Sequence, residues 1–275
     1  MQPNHVPTVA DLIDRFTRDG LLSRAPGTQK NYRYHLAFLR QTFGDRIAAD
    51  LKPKDFGPFL AVKKGKITRV RALAVLSAIF NDAVKRWYCL DQNVVRDVTR
   101  PRQRPRDRLI SQDEFLAIKA LAPKRVALGM MLALLTGQRQ GDIIRFKWSD
   151  IKGDELHVYQ AKNRKRLAIS INEDLEAVLD QCWLCHGESE YVLPTSRGTP
   201  YTPEGFRSGW QYTHRKWLKA GGEIAHFHDI RALAATRCET PEIAMRLLGH
   251  TSLVMTTRVY RRGIERVEAL PLWKK

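Results

Sequence analysis

"LHVYQAKNRKRLAISI", Leu156 to Ile171, breaks the helical rhythm of the residues around it. "LHVYQ" and "RLAISI" alternate apolar and polar residues about the polar turn "AKNRK", which is the pattern of a β-hairpin. On either side the apolar residues recur every third or fourth position. The spacing predicts helices over Gln112–Ala120 and Val126–Leu135 before the hairpin, the first opened by the S-x-x-E capping box Ser111–Glu114 and the second stopped at Thr136-Gly137. After it, helices are predicted over Asp174–Cys185, Pro203–Leu218, Asp229–Arg237, Pro241–Leu248 and Ser252–Tyr260, with Thr240 as an N-cap ahead of Pro241 at the first helical position. This half of the chain is therefore α+β, with one small hairpin or sheet set among helices.

The first hundred residues read as helices alone. Thr8 caps a helix that uses Leu12, Ile13 and Phe16. Thr28 precedes a second, in which Tyr32, Leu36, Leu39 and Phe43 share a face and Gly44 ends it. A short helix is predicted over Pro53–Val62. A long one follows the basic turn Lys63-Lys64-Gly65-Lys66, with Ile67, Val70, Leu73, Ser77, Phe80, Val84 and Trp87 on one stripe. Between the halves, "TRPRQRPRDR" (Thr99–Arg108) places Arg at every second position from Arg100 and holds two prolines, so it reads as an extended linker. The expected organisation is a helical domain over 1–99, a linker over 100–108 and an α+β domain over 109–275, mainly α overall.

Charge narrows the function. The formal net charge is +18, shared equally by the first hundred residues and the remainder. A compact chain charged in this way repels itself unless a polyanion lies along it, so nucleic acid is the expected partner. Lys30, Arg33, Lys63, Lys64, Lys66, Arg69 and Arg71 gather at helix starts and the basic turn, where they can meet phosphates. Arg102, Arg104 and Arg106 in the linker can track a backbone or simply stand in water. The longest mainly apolar run, Val126–Leu135, is too short for a bilayer, and the first residues carry no export signal, so no membrane and a cytoplasmic location are expected. Cys182-Trp183-Leu184-Cys185-His186 has the C-x-x-C-H form of haem attachment. It falls inside a predicted helix, with no evident second axial ligand, and Cys89 and Cys238 are isolated. All four cysteines are read as reduced core or boundary thiols.

Several short motifs can carry chemistry, each with a bland reading beside it. Arg139, in "TGQRQGD", follows a helix break with Asp142 three residues on to hold it; such an Arg is usually a surface ion-pair partner. The hairpin turn offers Lys162, Arg164, Lys165 and Arg166, which a solvated turn also would. "HFHDIRALAATR" sets His228 and Arg231 one helical turn apart, with Ala232, Leu233 and Ala235 packing inward. In "LLGH", His250 follows a glycine that a helix C-cap alone would explain. Tyr260 is followed by Arg261 and Arg262. A phenol with its ordinary pKa of about 10 is a poor nucleophile at neutral pH unless cations stabilise its ionised form.

Taken in order, Arg139, Lys162, His228-x-x-Arg231, Leu-Gly-His250 and Tyr260 resemble the catalytic domain of tyrosine recombinases, the phage-integrase family, over roughly 109–262. The module ahead of it resembles the family's all-helical core-binding (SAM-like) domain. The resemblance implies a site-specific recombinase or integrase that cuts and rejoins DNA through a 3′-phosphotyrosine. Arg139 and Arg231 would grip the non-bridging phosphate oxygens, His250 would donate another hydrogen bond there, and Tyr260 would attack. His228 would take the phenol proton and Lys162 would protonate the leaving 5′-oxygen. No metal or other cofactor is implied. Double-stranded DNA and a tetramer of this chain on it are the implied partners, with DNA-bending accessory proteins compatible. A non-cleaving accessory protein on the same fold is the alternative, and the intact residue set argues against it.

The sequence departs from the family's pattern in two places. Asp142 stands where Glu is usual, and the spacing from His250 to Tyr260 is one residue longer than usual. One residue turns a helix by about 100°, so a bulge or an irregular start is expected in that segment. The helical module begins almost at once, so no separate arm-binding domain is expected. The tail, 261–275, includes Ile264, Val267, Leu270, Leu272 and Trp273, and is expected to pack on its own domain or on a neighbouring protomer.

Overall fold

Thr8 opens the first helix as a reciprocal cap: its Oγ1 accepts from Asp11 N–H at 3.2 Å and the Asp11 carboxylate accepts from Thr8 N–H at 2.8 Å. The structure is a computed structural model that describes residues 6–101, 108–186 and 188–257. Tyr260, Arg102, Arg104, Arg106 and the tail lie outside the described residues. The chain divides into two units, Met1–Arg104 and Pro105–Lys275.

In the first unit α1 (Val9–Asp19), α2 (Pro26–Phe43), α3 (Gly57–Ala61) and α4 (Lys66–Lys85) pack around Phe16, Leu39, Phe43, Phe56, Leu73 and Phe80. Three details differ from the sequence expectation. Helix α2 starts ahead of Thr28, with Pro26 in its first turn, where a missing N–H costs nothing. The stretch from Pro53 is a 3₁₀ turn (Pro53–Phe56) that leads into the short α3. Helix α4 buries Ala72, Leu73, Leu76, Ile79, Phe80 and Ala83, whereas Ile67 is exposed. It packs against α1, α2 and α3 together, so two adjacent faces are covered, and its first turn extends past that core.

The ends of the predicted linker are tied down within their own units. Arg100 Nη2 donates to Val95 O at 2.9 Å. Arg108 holds the Glu114 and Glu223 carboxylates and the Ile224 carbonyl.

The second unit is built on α6 (Lys124–Thr136), which is buried along most of its length. Helices α5 (Gln112–Leu121), α8 (Glu173–His186), α9 (Pro203–Lys219) and α10 (Phe227–Arg237) pack against it or against one another, and Phe206, Trp210, Phe227 and Ile230 fill the core. The Ser111–Glu114 box caps α5 as expected. The hairpin is β2 (Glu155–Gln160) with β3 (Lys165–Ser170), in the register Leu156↔Ile169, Val158↔Leu167 and Gln160↔Lys165. A two-residue β1 (Ile151–Lys152) extends it to an antiparallel sheet of order β1-β2-β3; it is too short for alternation to reveal. Leu156, Val158 and Gln160 form the buried side of β2.

Cys182 lies in the core on α8, and burial, with Cys185 adding a smaller effect, pushes its thiol up to about 12. That keeps it protonated and inert. No helix among the described residues is long and apolar enough to cross a membrane.

Candidate active site

Two left-handed glycines bring the site together. Gly137 (φ +64°) ends α6 and turns the chain through Gln138 and Arg139 into α7 (Gln140–Ile143). Gly249 (φ +64°) ends α11 (Pro241–Leu248) and delivers His250. A Cβ on Gly249 would fall 2.5 Å from Gln160 Oε1, so the glycine serves close approach as well as backbone sign. Gly249→Ala is therefore expected to destabilise the protein by about 2 kcal/mol or more, and to displace His250. Urea unfolding midpoints check this; an unchanged midpoint contradicts the close approach.

Helix α10 begins at Phe227, two residues before the expected start, because Asp229 acts three residues inside the cap. Its carboxylate accepts from His226 N–H at 2.8 Å. This places His228 exposed in the first turn and Arg231 one turn further along at 1% exposure. The sequence pattern put Arg231 on the face with His228 and opposite the inward alanines; it is in fact as deeply buried as they are. Its guanidinium donates to the carbonyl oxygens of Gly137 and Leu248, the latter at 2.5 Å, and meets His250 Nε2 at 3.1 Å.

Arg231 only donates, so Nε2 of His250 is the acceptor and the ring proton sits on Nδ1, 2.9 Å from Thr256 Oγ1. His250 is 7% exposed, and its pKa falls to about 4. Burial is the main cause, followed by the charges of Arg231, Arg139, His228 and Lys165. The unfolded ring titrates near 6.5 and the native ring near 4, so the unfolded chain binds the extra proton in that window. His250 thus contributes stability that is complete above about pH 6.5 and is lost as pH falls towards about 4, at up to about 1.4 kcal/mol per pH unit. Urea midpoints taken from pH 7 to 4.5 should fall less steeply for His250→Asn than for wild type. Parallel curves would assign the acid sensitivity elsewhere.

Arg139 differs from the expectation in its brace. Asp142 Oδ2 lies 4.0 Å from Arg139 Nη1, without a hydrogen bond between them. The other oxygen, Oδ1, accepts from Arg145 Nη2 at 2.8 Å and from Ala161 N–H at 3.3 Å, so Asp142 chiefly ties Arg145 and the hairpin to α7. Arg139 Nη1 is buried with no hydrogen-bond partner among the described residues. A buried donor left unmade costs about 1–3 kcal/mol.

Lys162 stands exposed on the β2–β3 turn. The lysine whose charge reaches His250 is Lys165, at the start of β3. In the first unit Lys30, Arg33, Lys63, Lys64, Lys66 and Arg71 are exposed. Arg69 instead lies over the rings of Phe38 and Phe59, at 5.3 and 5.0 Å from their centroids.

Sequence reasoning missed Gln138, Gln160 and Thr256; Lys165 was among the hairpin-turn cations it offered, from which Lys162 was chosen. Gln160 had a signal: it continues the inward phase of Leu156 and Val158, where a polar residue needs a reason. Thr256 and Thr257 form a wider, π-type turn after α12 (Leu253–Met255), an irregularity in the segment where the longer spacing called for one.

The phage integrase family pattern matches residues 108–265, which include every residue of this site. The chain belongs to the phage integrase family. It is 30% identical over 259 residues to the integrase of Escherichia phage HK022, covering 87% of this chain and 72% of that one. Its fold matches a crystal structure of a lambda integrase dimer bound to a COC′ core site, with a TM-score of 0.83, 26% identity, and 95% and 99% of the two chains covered. A lambda integrase tetramer bound to a Holliday junction matches at a TM-score of 0.80 and 26% identity, over 97% of this chain and 81% of that one. This integrase-family chain is a site-specific tyrosine recombinase.

Proposed function

We propose that Arg139, Arg231, His228, His250, Lys162 and Tyr260 carry out strand cleavage and rejoining on double-stranded DNA. The observation that supports this most is the convergence of Arg139, Arg231, His228 and Lys165 on His250, two of them buried donors. Attack on a phosphodiester builds negative charge on the non-bridging oxygens, and Arg139 and Arg231 neutralise it. The Tyr260 oxygen bonds to phosphorus as the P–O5′ bond breaks. His228 accepts the phenol proton, and Lys162 protonates the departing 5′-oxygen. The 3′-phosphotyrosine conserves the bond energy for a second strand's 5′-hydroxyl.

His250 can serve by a change of tautomer. Once Arg231 turns an N–H to phosphate, Nε2–H can donate there while Nδ1 accepts from the Thr256 hydroxyl, a group that both donates and accepts.

The exposed cations of the helical unit, Lys30, Arg33, Lys63, Lys64, Lys66 and Arg71, hold the DNA backbone, and the 1–99 and 109–275 domains grip one duplex. The lambda integrase dimer and tetramer bound to DNA support assembly of this chain as a homo-oligomer on its site. A soluble, cytoplasmic protein is the setting this work requires.

The test selects a duplex by binding from a random-sequence pool, nicks it near the cleavage position, and incubates it with the full chain in excess EDTA. A protein–DNA adduct that survives denaturation is expected. Adduct formation that appears only when Mg²⁺ is added overturns the mechanism.

A further inference from the structure

We propose that Gln138 and Gln160 are a positioning pair for strand cleavage: their bridged amides fix the Leu248–His250 turn and so aim Arg231 and His250 at the scissile phosphate. The inference rests on the roles proposed for Arg231 and His250, and adds what holds them.

Both glutamines are buried, at 1% and 0% exposure. Gln160 Nε2 donates to Gln138 Oε1 at 2.7 Å and to Leu248 O at 3.0 Å. Gln138 Nε2 donates to Thr136 O at 2.8 Å and to Leu247 O at 2.9 Å. One bridge thus ties the end of α6, the end of β2 and the end of α11, the three segments that deliver Arg139, the hairpin turn and His250. Stability alone is a poor reason for it. Two buried amides lose their hydration, Gln160 Oε1 has no hydrogen bond among the described residues, and apolar side chains fill such space at lower cost.

The shared acceptor explains the choice. Leu248 O receives both Arg231 Nη2 and Gln160 Nε2, and a carbonyl oxygen has two lone pairs for them. When Arg231 Nη2 turns an N–H towards phosphate, Gln160 keeps the Leu248 carbonyl satisfied. The pair is also neutral. A carboxylate at either position would spend the guanidinium charge that the phosphate needs.

The test uses Gln138→Met and Gln160→Met, which keep side-chain length and remove the donors. Cleavage is measured in single turnover at saturating nicked duplex, beside half-site affinity and thermal midpoint. A second substrate carries a methylphosphonate at the scissile position; it is neutral and demands less of Arg231. On the phosphodiester, Gln160→Met is expected to cleave about 100-fold more slowly, the scale of a misplaced catalytic group. Half-site affinity, spread over many phosphates, stays within about twofold. On the methylphosphonate the defect shrinks to about threefold or less, in step with that of Arg231→Ala. Gln138→Met follows the same pattern and carries the test if Gln160→Met does not bind DNA. An equal defect on both substrates means general loosening and overturns the proposal, as does near-normal cleavage of the phosphodiester by both variants. If Arg231→Ala itself cleaves the phosphodiester normally, the role of Arg231 fails, whatever the glutamines do.

Discussion

Tyr260→Phe is expected to form no covalent adduct with a nicked duplex, while its affinity for the same DNA stays within about twofold of wild type. The substitution removes one oxygen, the atom proposed to bond to phosphorus, and leaves the cations that meet the backbone in place. Binding and chemistry are thereby separated. Gel shifts report the first, and denaturing gels of the trapped species report the second. Adduct formation by the phenylalanine variant would identify another nucleophile and would remove the phosphotyrosine step from the mechanism.

The second large effect falls on the two arginines, and the structure makes them behave differently. Arg139→Ala and Arg231→Ala should each slow cleavage by about 10³-fold or more, since each removes a donor from the charge that develops at one phosphate. Stability should distinguish them. Arg231 donates to two buried carbonyls, so its loss is expected to cost about 2 kcal/mol or more. Arg139 Nη1 makes no hydrogen bond among the described residues, so Arg139→Ala should leave the unfolding midpoint unchanged or raise it. A variant that is inert as an enzyme and no less stable is the mark of a donor held for a ligand. If Arg139→Ala unfolds as readily as Arg231→Ala, Arg139 is a structural group.

The fold was legible where local rules act alone. The cap at Thr8, the capping box at Ser111, the Thr240-Pro241 start and the alternation from Leu156 to Ile171 each depend on neighbours in sequence, and each appears in the structure. The helical stripe of α4 was misplaced because burial on two faces is decided by α1, α2 and α3, which periodicity within one helix does not report. The order of the motif residues was legible as a resemblance. The depth of Arg231 was not, nor was the use of Asp142 to hold Arg145, because a short carboxylate at the right spacing reads the same whichever arginine it serves. Gln138 carried no signal at all; the partners that matter to the site, Gln160 and Leu247, are far away along the chain.

That distance has a consequence for how the protein comes into being. The bonds that assemble the site join residues 88, 94 and 109 positions apart. Contacts of this kind form only after the long loops between them have closed, so they are late events in folding. In the mature protein the same seam is expected to open first, since undocking α11 breaks the bonds to Leu247 and Leu248 and leaves α6 within its core. Hydrogen exchange at the amides of Gly249 and His250, compared with those of α6, reads that opening directly: faster exchange at the former is the expected result, and equal protection would make the seam as firm as the core.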